Sequence, residues 1–246
     1  MVVLHIPHAS RRIPALVRPQ FTIPQAALEE ELLHMTDHAT ERLFAHPDLP
    51  AVVFPVSRLV VDPERFALDA EEPMAAQGMG VIYTHGSAGT RIRRDLSPEE
   101  RASLLAAWYE PHHARLAALV DAALAGSAGG VLIVDCHSFA SRPLPYEPDQ
   151  RPDRPEICLG TDPYHTPAGL TDRAGAYFAG RGYHVAVNRP YGGTMVPAPH
   201  YRRDPRVHSI MIEVRRDLYA DESTGLPHEG FERVHRDLRG VLEELD

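Results

Sequence analysis

Gly130-Val131-Leu132-Ile133-Val134-Asp135-Cys136-His137-Ser138 carries the strongest strand signal in the chain. Its apolar run is continuous, without the polar alternation of a half-exposed strand. Such a run is expected where a strand is covered on both faces, as in sheets built from crossover units. At its carboxyl end the chain turns abruptly polar, with an acid and a histidine two residues apart.

Working outward, the same pattern repeats. Residues 2 to 6 (Val-Val-Leu-His-Ile) read as a second buried strand, ended by Pro7 because proline cannot donate to the ladder. Ala51 to Phe54, Leu59 to Val61, Val81 to Tyr83, Ile157 to Leu159, His184 to Val187 and Ser209 to Val214 are further strand candidates. Between them lie helices. Residues 25 to 45 form one, and Ser97-Pro98-Glu99-Glu100 starts another with a capping box. That helix runs through Leu104, Trp108, Leu116, Leu119 and Ala123, and Pro111 is expected to kink or divide it. A helix falls between Pro167 and Arg181, with Gly182 suited to its stop. The last helix is marked by Phe231, Val234, Leu238, Val241, Leu242 and Leu245 at helical spacing. Residues 63 to 78, 141 to 156 and 189 to 206 are loops, the second with some character of a domain boundary. Strands alternating with helices imply an α/β fold, a sheet covered on both faces.

The chain has 246 residues and a formal net charge of -9. The acidic balance lowers the expectation of nucleic-acid binding, which rests on cationic faces. Neither a Rossmann glycine fingerprint nor a P-loop follows a strand, so nucleotide binding has no motif support. No apolar run is long enough to span a bilayer. The opening residues lack a basic and apolar leader, so the expected location is cytoplasmic, without a membrane partner. Cys136 and Cys158 are expected to be buried, reduced side chains rather than a disulfide framework.

The 15 histidines cannot all carry function, so position must select among them. In α/β sheets ligands bind beyond the carboxyl ends of strands. Three such ends hold His5-Ile6-Pro7-His8, Asp135-Cys136-His137-Ser138 and Ile212-Glu213-Val214-Arg215. Taken singly, His8 or His137 reads as a structural histidine and Glu213 as an ion-pair partner of Arg215. Acids and histidines gathered on one rim are costly to bury unless paired or bound to metal. Asp135 is placed to orient His137 or a neighbour from behind.

These residues fall inside an ordered set of motifs: His5-Ile6-Pro7-His8-Ala9-Ser10, Thr36-Asp37-His38-Ala39-Thr40, Ser57-Arg58-Leu59-Val60-Val61-Asp62, Asp135-Cys136-His137-Ser138-Phe139, Asn188-Arg189-Pro190-Tyr191-Gly192-Gly193 and Ile212-Glu213-Val214-Arg215. The set resembles the N-formylglutamate amidohydrolase family over nearly the whole chain. The resemblance implies a single domain over residues 1–246, a three-layer α/β/α fold with a mixed, mostly parallel sheet, as in zinc carboxypeptidases and the phosphorylase/hydrolase-like folds. It implies amide hydrolysis at a divalent metal, normally zinc, on a small N-acyl amino acid, with N-formyl-L-glutamate from histidine breakdown as the reference substrate. Carried over, His8, Asp37 and His137 would be the metal ligands and Glu213 the general base. Arg58 and Arg65 would stabilise the oxyanion or hold substrate carboxylates, and Asn188, Arg189 and Arg215 would bind substrate. His113 would be structural or stand behind the site. The chain departs from the family at Glu64, where asparagine is frequent, and at Ala9-Ser10, where Ser-Gly is frequent. A carboxylate at position 64 would repel an anionic substrate if it faced the pocket. Two other functions remain open on these residues: a metallohydrolase of a different small amide or peptide, and a non-catalytic protein binding a small anion.

Overall fold

The structure is a computed structural model that describes residues 1–126 and 129–246. In chain order the main elements are β1 (Val2–Ile6), α1 (Gln25–Met35), α2 (Thr40–Leu43), β2 (Ala51–Val53), α3 (Pro98–Leu104), α4 (Glu110–Gly126), β3 (Val131–Phe139), β4 (Ile157–Gly160), α5 (Ala168–Ala179), β5 (Val185–Val187), β6 (Val207–Arg215) and α6 (Phe231–Leu245). Six strands form one mixed sheet in the order β2-β1-β3-β6-β4-β5. β1, β2, β3 and β6 are mutually parallel, and β4 runs antiparallel to β6.

Strand alternation sorts the side chains cleanly. Val2, Leu4, Ile6, Leu132, Val134, Cys136, Ile210, Ile212 and Val214 point to one face, where they pack with residues of α5 and α6 such as Phe178 and Leu238. Val3, Val131, Ile133 and Val207 point to the other, where Leu116, Val120 and Ala123 of α4 cover them. The same alternation continues towards the carboxyl ends of the strands. It therefore sends His5, Asp135, His137 and Glu213 to the α4 face, beyond the end of that apolar packing. A second core, including Phe54, Val60, Val61, Val81 and Tyr83, lies beneath α1 and α3.

Several local expectations change. Leu59–Val61 and Val81–Tyr83 are buried, but neither joins the ladder. Val60 N instead bonds back to Ser57 O, and Asp62 N to Val81 O, so their apolar character fills the second core as turns. The helix expected over 25–45 breaks between Thr36 and Ala39, because Ala39 adopts a left-handed φ of 56°. There the Asp37 amide bonds to His8 O at 3.0 Å, and Thr40 Oγ1 bonds to Asp37 O at 2.9 Å. The break folds Asp37 back against β1. Ahead of Pro111 the helix relaxes into a π turn over Leu105–Tyr109, one of the recognised ways a helix absorbs a local bend. The capping box at Ser97 and Glu100 is present.

Candidate metal centre

The parallel register pairs His5 with Asp135 on β1 and β3, and His137 with Glu213 on β3 and β6. His8 lies just past β1, and Asp37 lies in the break between α1 and α2. Their donor atoms converge. His137 Nδ1 is 3.1 Å and His8 Nδ1 3.8 Å from the same oxygen, Asp37 Oδ2. These three buried residues can offer one ligand atom each to a common point. His8 Nδ1 is buried and has no hydrogen-bond partner among the described residues.

Each ligand candidate is held from behind. Asp62 Oδ1 accepts from His8 Nε2 at 2.9 Å, which leaves His8 Nδ1 unprotonated and facing Asp37. Asp135 Oδ1 and Glu64 Oε1 accept from His137 Nε2 at 3.1 and 3.2 Å. Arg216 Nη2 donates to Asp37 Oδ1 at 3.1 Å and to Ser138 O. This carboxylate–histidine pairing is the usual way a protein fixes the tautomer of a metal-binding imidazole. Asp135 also accepts from His5 Nδ1 at 2.7 Å, and His5 Nε2 meets His112 Nε2 at 2.8 Å. A buried Asp135–His5–His112 chain thus stiffens the wall behind His137.

The electrostatics call for added positive charge. Around the cluster, among the described residues, the carboxylates of Asp37, Asp62, Glu64 and Asp135 outnumber the fixed cations Arg58, Arg65 and Arg216. Burial disfavours a charged His137. The carboxylates of Glu64 and Asp135, with hydrogen bonds to Asp135 and Asp37, outweigh it and raise its pKa well above the ordinary histidine value. Burial would likewise keep Asp37 neutral, but the hydrogen bond to His137 and the charges of His137 and Arg216 hold it well below the carboxylate range. His8 shifts the other way, mainly because burial and then the Arg58 charge disfavour its protonated form. Glu213 is pushed up to about 8, chiefly by burial. Its Oε2 is buried and has no hydrogen-bond partner among the described residues. Two histidines and a carboxylate with converging donors, one of them orphaned, in a site short of positive charge, fit a divalent metal.

His8, Asp37, Arg58, Glu64, Arg65, His137, Glu213 and Arg216 line one cavity of about 160 Å³. The three residues expected to bind substrate do not line it. Asn188 bonds to Thr161 through both its Oδ1 and its Nδ2. Arg189 pairs with Asp149 and Asp153. Arg215 pairs with Asp217 at 2.7 Å and donates to Arg154 O. Strand alternation would carry Arg215 onto the face of Glu213. The strand ends there, however, and a 3-10 turn over Arg216–Leu218 presents Arg216 to the site instead. Sequence reasoning missed Arg216 and His112. Glu64 was singled out only as a departure, yet it faces the cavity. His113 bonds to Pro63 O at 2.9 Å and so braces the loop that carries Glu64.

The profile of the family described as N-formylglutamate amidohydrolase matches residues 1–220. The chain belongs to that family. This member superposes on the crystal structure of an N-formylglutamate amidohydrolase from Ralstonia eutropha JMP134 with a TM-score of 0.83 and 28% identity, covering 99% of this chain and 92% of that one. The gene product Atu2144 from Agrobacterium tumefaciens shares the fold at a TM-score of 0.66 and 24% identity, covering 99% and 91%. No curated protein matches the chain. Family and site together make this an amidohydrolase-family hydrolase with a candidate metal cluster. Among the described residues no helix is long and apolar enough to cross a membrane.

Proposed function

We propose that the chain is a zinc-dependent hydrolase of small N-acyl amino acids, among which N-formyl-L-glutamate from histidine breakdown is the reference substrate. One observation carries this reading: the unpartnered, buried Glu213 carboxylate stands on the strand next to His137, at the cluster where His8, Asp37 and His137 converge. His8 Nδ1, His137 Nδ1 and Asp37 Oδ2 would hold the metal. When bound, a divalent metal supplies Lewis acidity, lowering the pKa of water from 15.7 towards roughly 7 and polarising a carbonyl oxygen.

The protein's own groups do the rest. A general base near neutrality is most effective when its pKa lies close to the working pH, and burial brings Glu213 into that range. Glu213 takes a proton from water as the water oxygen adds to the amide carbonyl carbon. It then delivers that proton to the nitrogen as the C–N bond breaks, leaving a carboxylic acid and a free amine. Arg58 and Arg65, both lining the cavity, stabilise the developing oxyanion or pair with the substrate carboxylate, for which a guanidinium offers two parallel donors. Arg58 is already engaged by Asp62 through Nε and Nη2. Arg65 is held more loosely, its Nε lying 3.8 Å from Asp62 Oδ2 and 4.0 Å from Glu72 Oε1 with no hydrogen-bond partner among the described residues, so it is the freer of the two to meet the substrate.

The test is release of free amine and carboxylic acid from N-formyl- and N-acetyl-amino acids by the purified chain, with zinc and with a chelator. Zinc-dependent release that the chelator abolishes supports the reading. Absence of release from every N-acyl amino acid in the presence of bound zinc contradicts it.

A further inference from the structure

Beside the metal cavity lies a second and larger one, of about 650 Å³. Glu64, Arg65, Gly192 and Met211 line both, so the two meet at those residues. The walls of the larger cavity are mostly apolar: Phe66, Ala114, Ala117, Met195, Val196 and Tyr201. Phe66 and Tyr201 are among the exposed large apolar side chains of the molecule, 56% and 38% accessible. Apolar side chains gathered along one cleft, unlike exposed ones scattered singly, mark a ligand-binding groove. A formyl group does not need this volume, and the metal cavity alone would accept one.

We propose that the substrates of this site carry an apolar acyl group much larger than formyl, seated in the second cavity while the amide lies at the metal cluster. The proposal rests on the amidohydrolase reading above and names the class of acyl group. The charges divide in the same sense. Arg58 and Arg216 line the metal cavity alone, and Arg65 lines both, so cationic charge is concentrated where the carboxylate of the amino-acid half would sit. Glu64 stands at the junction, where its carboxylate repels an acyl chain that ends in a second negative charge. Gly192 and Met211 also lie at the junction and carry no charge. The occupant is thus an uncharged aryl-acyl or medium alkyl-acyl group, on an amino acid with a free carboxylate.

The experiment is a kcat/KM series on the zinc-loaded full chain. It compares N-formyl, N-acetyl, N-butyryl, N-phenylacetyl and N-succinyl derivatives of both L-glutamate and L-leucine. Filling an apolar site with a phenyl group should raise kcat/KM by at least about tenfold over formyl. Succinyl, the anionic counterpart of butyryl, should fall below butyryl. The variant Ala117→Trp, which fills the cavity from α4, should collapse the phenylacetyl-to-formyl ratio. A formyl derivative that is the best substrate for both amino acids overturns this proposal and leaves the amidohydrolase reading intact. So does a phenylacetyl-to-formyl ratio that is high in the parent and unchanged in a folded Ala117→Trp chain. Failure to hydrolyse any member of the series overturns both.

Discussion

Asp62 is fully buried and accepts five hydrogen bonds, so replacing it by asparagine is a sharp probe of the metal centre. Oδ1 serves His8 Nε2 at 2.9 Å and the Glu64 amide at 3.0 Å. Oδ2 serves Arg58 Nε and Nη2 at 3.1 and 2.7 Å and the Tyr83 hydroxyl at 2.7 Å. An asparagine has one acceptor oxygen, and Arg58 with Tyr83 is the stronger claimant because one donor is charged. The amide NH2 then faces His8 Nε2. His8 relieves that clash by moving its proton to Nδ1, the atom that faces Asp37 and would bind the metal. Loss of such an orienting carboxylate typically lowers metal affinity by about 10- to 100-fold, roughly 1.4–2.8 kcal/mol. Weakening the buried pair with Arg58 also reduces stability, by up to about 3–5 kcal/mol. The assay is zinc titration by competition with a chromophoric chelator on D62N, with circular dichroism to establish that it is folded. A folded D62N chain with the parent's zinc affinity would refute the argument that Asp62 sets the tautomer of a metal-binding His8.

Other predictions follow from the same groups. E213Q should lose about 10²–10⁴-fold in turnover while binding zinc with unchanged stoichiometry, as read by steady-state kinetics and metal analysis. In the metal-free protein the carboxylates of Glu64 and Asp135 favour the protonated form of His137. Zinc binding at pH 7 should therefore release at least about one proton, measurable by calorimetry in buffers of different ionisation enthalpy. His112 is depressed to about 2, first by burial and then by the neighbouring His5. Below about pH 6.5 the unfolded chain takes up a proton that the folded chain refuses, so stability is lost as pH falls. The slope approaches about 1.4 kcal/mol per pH unit. Denaturant titrations between pH 7.5 and 5.5 should show this loss in the parent and a shallower one in H112Q, which keeps a donor towards His5. Glu147 and Arg154 form a buried pair, both side chains 2% exposed, beside the metal cavity. E147A should cost roughly 3–5 kcal/mol in urea unfolding.

Period-two alternation explains how much of the site was legible. His137 and Glu213 each follow an apolar strand, and the parity that buries Val131, Ile133 and Val207 beneath α4 carries their odd-numbered successors to one rim. The family resemblance supplied Asp37. Propensity could not, because the segment reads as continuous helix and only the left-handed turn at Ala39 folds it back. Arg216 escaped because a strand's end is set by hydrogen bonding to its neighbours, and one residue decides which arginine enters the site. His112 sits on a helix among many histidines, and nothing local separates it from His113. Its role depends on β1 lying opposite, a contact between residues 107 positions apart. Leu59–Val61 and Val81–Tyr83 misled for a related reason: apolar, β-branched runs report burial, and burial alone does not create a ladder.

The measurement that bears most directly on the metal centre is zinc stoichiometry by equilibrium dialysis for the parent chain and for H8A and H137A, each first shown to be folded. If His8, Asp37 and His137 hold the metal, the parent retains about one zinc per chain and both variants lose most of it. Tight zinc that survives both substitutions, or a parent that binds none, would contradict the account.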